Sequence, residues 1–169
     1  LMNPLVDAAV LETARGGILR AGLGFDKCDI AVVTNIGEGD HLGLSDIQTT
    51  ETLAKVKRCI VEALAPTGAA VLNAEDPLVA EMAKHCPGTT VFFAKSGNHP
   101  LIIQRREENG RVAFVRDHAI ALAEGEYEFT LLSLDRIPLT YNGRILFQVE
   151  NVLAATAACW ALGLPAEQI

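Results

Sequence analysis

The stretch Asp29-Ile-Ala-Val-Val-Thr34 is a short, nearly continuous apolar run that leads into the loop Asn35-Ile-Gly-Glu-Gly-Asp-His-Leu-Gly43. Continuous apolar runs of this kind are typical of parallel strands that are covered on both faces. Runs of the same character occur at residues 6–11, 69–72 and 89–94. Helical patterns separate the later runs, at residues 49–64 and 77–82. This alternation predicts an α/β fold with a mostly parallel sheet flanked by helices.

The character of the chain changes in its middle section. Short strand-like pieces occur there at residues 102–104, 111–115, 119–122 and 127–134. The dipeptides between and after them are typical of hairpin turns, namely Asn109-Gly110, Glu124-Gly125 and Asn142-Gly143. We therefore expect a small antiparallel section at residues 96–143, appended to an α/β core of residues 1–95 and 144–169. That core ends in an alanine-rich helix at residues 149–162.

Composition narrows the functional classes. Half of the 169 residues are hydrophobic, which is enough for one domain with a real core. The net charge of −7 argues against a nucleic-acid surface, which needs basic residues to release counterions. No run approaches the roughly 20 apolar residues of a membrane span, and no leader pattern is present, so we expect a cytoplasmic protein without a membrane partner. The four cysteines form no Cys-x-x-Cys pair and are expected to be free thiols. A homo-oligomer is compatible with the sequence.

Two side chains with metal-binding chemistry follow predicted strands. Glu12 comes after the run at residues 6–11, and His41 lies in the loop after the next run. Ligands bind beyond the carboxyl ends of strands in open α/β sheets, and neighbouring strands lie about 5 Å apart. A carboxylate and an imidazole at two such ends suggest a magnesium and phosphate site, with Asp40 as a weaker ligand.

Simpler interpretations of the same residues stay open. Glu12 is equally compatible with a surface ion pair to Arg15 or Arg20, and His41 with a plain polar loop residue. The glycines at 16 and 17 predict a sharp turn that lets the backbone approach a ligand.

Further polar residues follow the later strands or lie on the helices. Lys55 and Lys57 lie on the predicted helix after the His41 loop, where lysines are usually only solvated. Asp76 precedes Pro77 and is expected to cap a helix, while Asn73 is left open. The sequence contains no Gly-x-x-x-x-Gly-Lys-Ser/Thr phosphate loop.

Four motifs together resemble the central ATP-binding domain of the Mur ligase superfamily, nearest to its cyanophycin-forming branch. They are Leu11-Glu-Thr-Ala-Arg-Gly-Gly-Ile-Leu-Arg20, Asp40-His-Leu-Gly43, Leu72-Asn-Ala-Glu-Asp-Pro77 and Glu150-Asn-Val-Leu-Ala-Ala155. The resemblance implies a P-loop-type fold that lacks its P-loop segment over residues 1–169. The other domains of a longer enzyme are then expected partners, and the chain alone is expected to be inactive and to bind ATP weakly.

The resemblance implies an ATP- and Mg²⁺-dependent ligase that activates a carboxylate as an acyl phosphate and joins an amino acid to it. For the cyanophycin-forming branch, arginine is joined to the aspartate side chains of a peptide polymer. Ligases of peptidoglycan precursors or folylpolyglutamate are the alternative, although the turn at residues 14–17 fits them less well. A non-catalytic scaffold that retains the fold is a third possibility.

The resemblance also assigns roles to individual residues. Glu12 and His41 match the magnesium ligands of the family. Lys57 matches a lysine that many members carbamylate so that it can bind a second magnesium, and Lys55 is the alternative register. Asn151 matches the asparagine that contacts adenine, with Gln148 where many relatives have a second asparagine. Asn73 is expected to contact the cofactor.

Overall fold

Six strands form a single sheet in the computed structural model, which describes residues 4–37 and 47–169. The strands are β1 (Cys28–Val33), β2 (Leu64–Asn73), β3 (Thr89–Ala94), β4 (Arg111–Arg116), β5 (Ala119–Glu124) and β6 (Tyr127–Ser133). The helices are α1 (Arg15–Ala21), α2 (Thr50–Glu62), α3 (Pro77–Ala80), α4 (Pro100–Glu107) and α5 (Leu146–Ala161). The strands are ordered in space as they are along the chain.

The sheet is mostly parallel, as the sequence predicts. Strands β1 to β4 pair in parallel, with Val32 opposite Val71 and Phe93 opposite Ala113 in register. Strands β5 and β6 add two antiparallel pairings at one edge. The α/β class and the appended antiparallel section are therefore confirmed.

Helices cover both faces of the sheet. Successive side chains of β2 point to opposite faces and are buried on each of them. Ala70 and Leu72 belong to one buried cluster, which includes residues of α2, α3 and α4. Ala69 and Val71 face the opposite cluster, which is built with Leu153 and its neighbours on α5. This two-sided burial explains why the strands are nearly continuous apolar runs.

Two helix starts are fixed by side-chain caps. The hydroxyl of Thr49 accepts a hydrogen bond from the Thr52 amide at 3.2 Å and begins α2. The Asp76 carboxylate accepts from the amides of Leu78 and Val79 at 2.9 and 3.2 Å, which confirms the predicted cap of α3. No helix within residues 4–37 and 47–169 has the length and hydrophobicity needed to cross a membrane. All four cysteines are free.

Two predicted strands are wrong. Residues 6–11 form no strand, and their apolar side chains are exposed, Val10 fully so. The run contains an aspartate and two alanines, which are weak strand formers. Residues 102–104 lie in α4, where Pro100 occupies the first turn and His99 caps the helix.

The predicted turns are partly corrected as well. Glu124-Gly125 does begin the turn between β5 and β6. Asn109-Gly110 instead links α4 to β4, so it belongs to a crossover between parallel strands. The first hairpin turns at Asp117 and His118, both of which have positive φ angles of 48° and 60°. This turn is not evident from the sequence because it contains no glycine or asparagine.

Gly88 is expected to tolerate no side chain, because a Cβ there would lie 2.2 Å from the backbone oxygen of Gly68. Gly88→Ala should therefore lower the free energy of unfolding by about 1–3 kcal/mol, the usual cost of overpacking. Urea unfolding measures the change. Gly17→Ala is the matched control, since nothing lies within 4 Å of its Cβ position in α1 and alanine favours a helix. Equal stability of Gly88→Ala and wild type would contradict the close approach.

Candidate active site

Polar side chains gather at the edge of the sheet where β1, β2 and β3 end. Asn73, the last residue of β2, is 4% exposed, and its side-chain amide donates to the carbonyl oxygen of Thr34 at 2.9 Å. Its side-chain oxygen accepts from the backbone amide of Glu75 at 2.9 Å. The Asn73 side chain therefore ties the segment after β1 to the loop after β2. Whether it also contacts a cofactor stays a prediction.

Asp76 makes a second tie between the same two segments. Besides capping α3, its carboxylate accepts from the backbone amide of Ile36 at 2.7 Å. The loop after β2 thus holds the segment after β1 through two side chains. This arrangement gives a defined shape to the edge at which ligands bind in open α/β sheets.

Lys57 reaches this edge from α2. Its ammonium donates to the carbonyl oxygen of Asn35 at 3.3 Å, just beyond the end of β1. Lys55, two residues earlier, is exposed. The geometry therefore favours Lys57 over Lys55 as the residue with a role at the edge.

Glu12 is exposed and lines a shallow cavity of about 220 Å³. The predicted sharp turn after it is wrong, because Gly16 and Gly17 lie in α1 and neither has a positive φ. The chain turns instead at Gly22, with φ of 71°. Helix α1, which begins three residues after Glu12, contacts α2, the helix that carries Lys57.

The predicted histidine ligand cannot be compared with these positions. His41 and Asp40 lie outside the described residues. The distance between His41 and Glu12 is therefore not described either. Within residues 4–37 and 47–169, no three His, Cys, Asp or Glu side chains are arranged to hold a metal. A magnesium site formed by Glu12, His41 and Lys57 therefore stays a prediction.

An ion cluster that was not predicted from the sequence lies at the same edge and is formed by Lys95, Glu75 and Glu150. The Lys95 ammonium contacts the Glu75 carboxylate at 2.6 Å and also contacts Glu150 on α5. The Lys95 backbone amide donates to Glu75 at 3.0 Å. Partial burial lowers the pKa of Lys95, but its hydrogen bonds and charge interactions with the two glutamates outweigh burial and raise the pKa above its ordinary value.

Asn151 follows Glu150 on α5 and is exposed. Its side-chain amide donates to the side-chain oxygen of Gln148 at 3.1 Å, one turn earlier. The residue predicted to contact adenine is therefore accessible, and it is next to a residue of the ion cluster. Its contact with a nucleotide stays a prediction.

The sheet, its covering helices and the polar edge define an α/β domain whose polar edge lies where open α/β sheets bind their ligands. The model of the Mur ligase middle domain matches residues 2–159. The chain belongs to this family, which confirms the resemblance drawn from its motifs.

Individual relatives agree with this assignment. The chain is 45% identical over all 169 residues to the cyanophycin synthetases of Geminocystis herdmanii and Synechocystis sp., and it spans 19% of the length of each. It is also 36% identical over 137 residues to a UDP-N-acetylmuramoylalanine--D-glutamate ligase of Symbiobacterium thermophilum, covering 80% of this chain and 27% of that protein. Among solved structures, MurF from Acinetobacter baumannii shares the fold, with a TM-score of 0.51 at 18% identity over 82% of this chain and 27% of that one.

Proposed function

We propose that this chain is the central domain of an ATP-dependent ligase that joins arginine to aspartate side chains of a peptide polymer. An acceptor carboxylate oxygen attacks the terminal phosphorus of ATP, which releases ADP and leaves an acyl phosphate. The arginine amine then attacks the acyl carbon, phosphate leaves, and an amide remains. The 45% identity to cyanophycin synthetases over the whole chain supports this substrate class.

The observation that carries the proposal is the meeting of Lys57, Asn73 and Asp76 at the carboxyl edge of the parallel strands. Three separate elements deliver polar side chains to this edge, while the central strands β2 to β5 contribute most of their residues to two apolar clusters. Phosphoryl transfer depends mainly on positioning and on neutralising charge. A fixed polar edge can provide the positioning, and a magnesium ion held there would neutralise the charge.

The side chains of Glu12 and Lys57 can bind magnesium only if Lys57 is carbamylated. Glu12 offers an exposed carboxylate, and Mg²⁺ prefers such oxygen ligands. An unmodified Lys57 ammonium would repel the ion. Addition of CO₂ to the neutral Lys57 amine, with loss of one proton, converts it to a carbamate that offers oxygens. Bound Mg²⁺ would neutralise the negative charge that builds up on the transferred phosphoryl group.

In this proposal Glu12, His41 and the Lys57 carbamate hold magnesium, and Asn151 contacts adenine. The exposed position of Asn151 on α5 is consistent with that role. We also propose that the domain works in the cytoplasm, where four free cysteines stay reduced.

Substrate-dependent phosphate release tests the proposal. In the full-length protein that carries this domain, ATP should be converted to ADP and phosphate only when both arginine and an aspartate-backbone peptide are supplied. Omitting either, or replacing arginine by lysine, serves as the control. Turnover with UDP-N-acetylmuramoylalanine and D-glutamate instead would favour the peptidoglycan alternative, which the 36% identical Symbiobacterium relative supports. Absence of turnover with every acceptor would favour a scaffold.

A further inference from the structure

A continuous chain of polar contacts runs along the carboxyl edge of the sheet and ends at α5. It starts at the Thr34 carbonyl, passes through Asn73 to Glu75, and continues from Glu75 to Lys95. The Lys95 ammonium then contacts Glu150, which lies 55 residues further along the chain. The ends of three parallel strands are thereby linked to the first turns of one helix.

Apolar packing alone does not fix how α5 is rotated or shifted along the sheet. Val149 and Leu153 are buried against the strands, but hydrophobic contacts are non-directional. At the far end of α5, the Arg111 guanidinium lies 4.8 Å from the ring centre of Trp160 and contacts the Trp160 carbonyl oxygen. Near the start of α5, the ion pair between Glu150 and Lys95 is the contact that holds the helix in a defined orientation.

We propose that Lys95 is a positioning residue for nucleotide binding, because it fixes the turn of α5 that presents Asn151. This inference rests on the proposed function, in which Asn151 contacts adenine. Lys95 lies between two carboxylates whose side chains are 24% and 21% exposed, so screening by water is incomplete. Without its ammonium, Glu75 and Glu150 would repel each other and push the start of α5 away from the edge.

The expected result of Lys95→Met is a rise in the KM for ATP of about 3- to 10-fold, the usual effect of losing one net hydrogen bond to the ligand. The kcat should fall far less, because adenine contacts bind ground state and transition state alike. Steady-state kinetics of the full-length protein with saturating arginine and acceptor provide both constants.

Three variants make the test specific. Lys95→Arg keeps the positive charge and should restore most of the affinity for ATP. Glu150→Gln removes the charge on the α5 side and should raise the KM in the same direction but less, because the amide oxygen can still accept from Lys95. This variant decides the question if Lys95→Met does not fold. Lys84→Met is the matched control, because it breaks an exposed ion pair with Glu81 elsewhere in the chain and should leave both constants unchanged.

The possible outcomes separate this proposal from the proposed function. An active wild type with an unchanged KM in folded Lys95→Met and Glu150→Gln overturns the positioning role alone. A loss of kcat at constant KM also overturns it. A wild type that consumes no ATP rejects the proposed function, and the role of Lys95 is rejected with it.

Discussion

Lys57→Met in the full-length protein is expected to lower the rate of ADP formation on the order of 10²- to 10³-fold, the loss typical of removing one group that stabilises transition-state charge. The reason is the position of Lys57, whose ammonium reaches the carbonyl of Asn35 at the carboxyl edge of β1. A carbamate on Lys57 would offer two oxygen ligands to magnesium. Methionine has no amine and cannot form a carbamate. The rate should be measured at saturating ATP, arginine and acceptor.

Lys55→Met is the matched control for this prediction. Both lysines lie on α2 two residues apart, but Lys55 is exposed and Lys57 is partly buried. Lys55→Met should therefore retain activity close to that of the wild type. The opposite result, with Lys55 essential and Lys57 dispensable, would show that Lys55 is the residue that matches the carbamylated lysine.

A second variant separates a carbamate from a simple positive charge. Lys57→Arg keeps the charge and the ability to donate to Asn35, but its guanidinium does not form a carbamate under these conditions. It should be stable and as inactive as Lys57→Met. Retained activity in Lys57→Arg would mean that the ammonium acts as a cation and would reject the carbamate.

Carbon NMR detects the modification directly. After growth or incubation with ¹³C-bicarbonate, wild type and Lys55→Met should show a carbamate carbonyl signal. Lys57→Met should lack it. A signal that persists in Lys57→Met would place the carbamate on another amine.

The sequence predicts the parallel core well because burial on both faces leaves a simple pattern. The run at residues 29–34 is strand β1, and the helical spacing at residues 49–64 is α2. The same reasoning fails for residues 6–11, because an apolar run forms a strand only when a neighbour supplies hydrogen bonds. It fails for residues 102–104 because three residues cannot distinguish a strand from a turn of helix.

Part of the candidate site can be predicted from the sequence because of the sheet topology. Residues just beyond parallel strands meet at one edge whatever their side chains, so Asn73 and Asp76 could be placed there from the sequence. Glu75 and Lys95 follow strand ends too and could be placed at the edge in the same way, but their contact with Glu150 could not. Glu150 lies on α5, 55 residues after Lys95, and charged residues of this type usually face solvent.

Asn73→Asp is expected to cost about 3–5 kcal/mol of unfolding free energy at pH 7, the usual effect of leaving a buried charge uncompensated. The carboxylate would keep an acceptor for the Glu75 amide, but its second oxygen would face the Thr34 carbonyl oxygen, which now accepts from Asn73. Asn98→Asp is the control, because Asn98 is exposed and a charge there should change stability by less than about 0.5 kcal/mol.

The pH dependence of Asn73→Asp identifies the cause of the loss. Burial and the facing carbonyl raise the pKa of the introduced carboxyl in the folded state, while in the unfolded chain it stays near about 3.9. The variant should therefore approach wild-type stability below about pH 3.9, where the protonated carboxyl can donate to Thr34. The difference from wild type should grow as the pH rises through the raised folded-state pKa. Comparison with the wild type at each pH removes the contributions of the titratable groups that both proteins share.

The same variant also decides between the two roles of Asn73. If the amide mainly ties the segment after β1 to the loop after β2, Asn73→Asp loses stability in chemical unfolding with or without ATP. If the amide faces the nucleotide instead, stability at pH 7 should be unchanged while the affinity of the full-length protein for ATP falls. At 4% exposure, with one hydrogen bond from each polar atom of its side chain to the backbone, Asn73 is largely shielded from a ligand. We therefore expect the loss of stability.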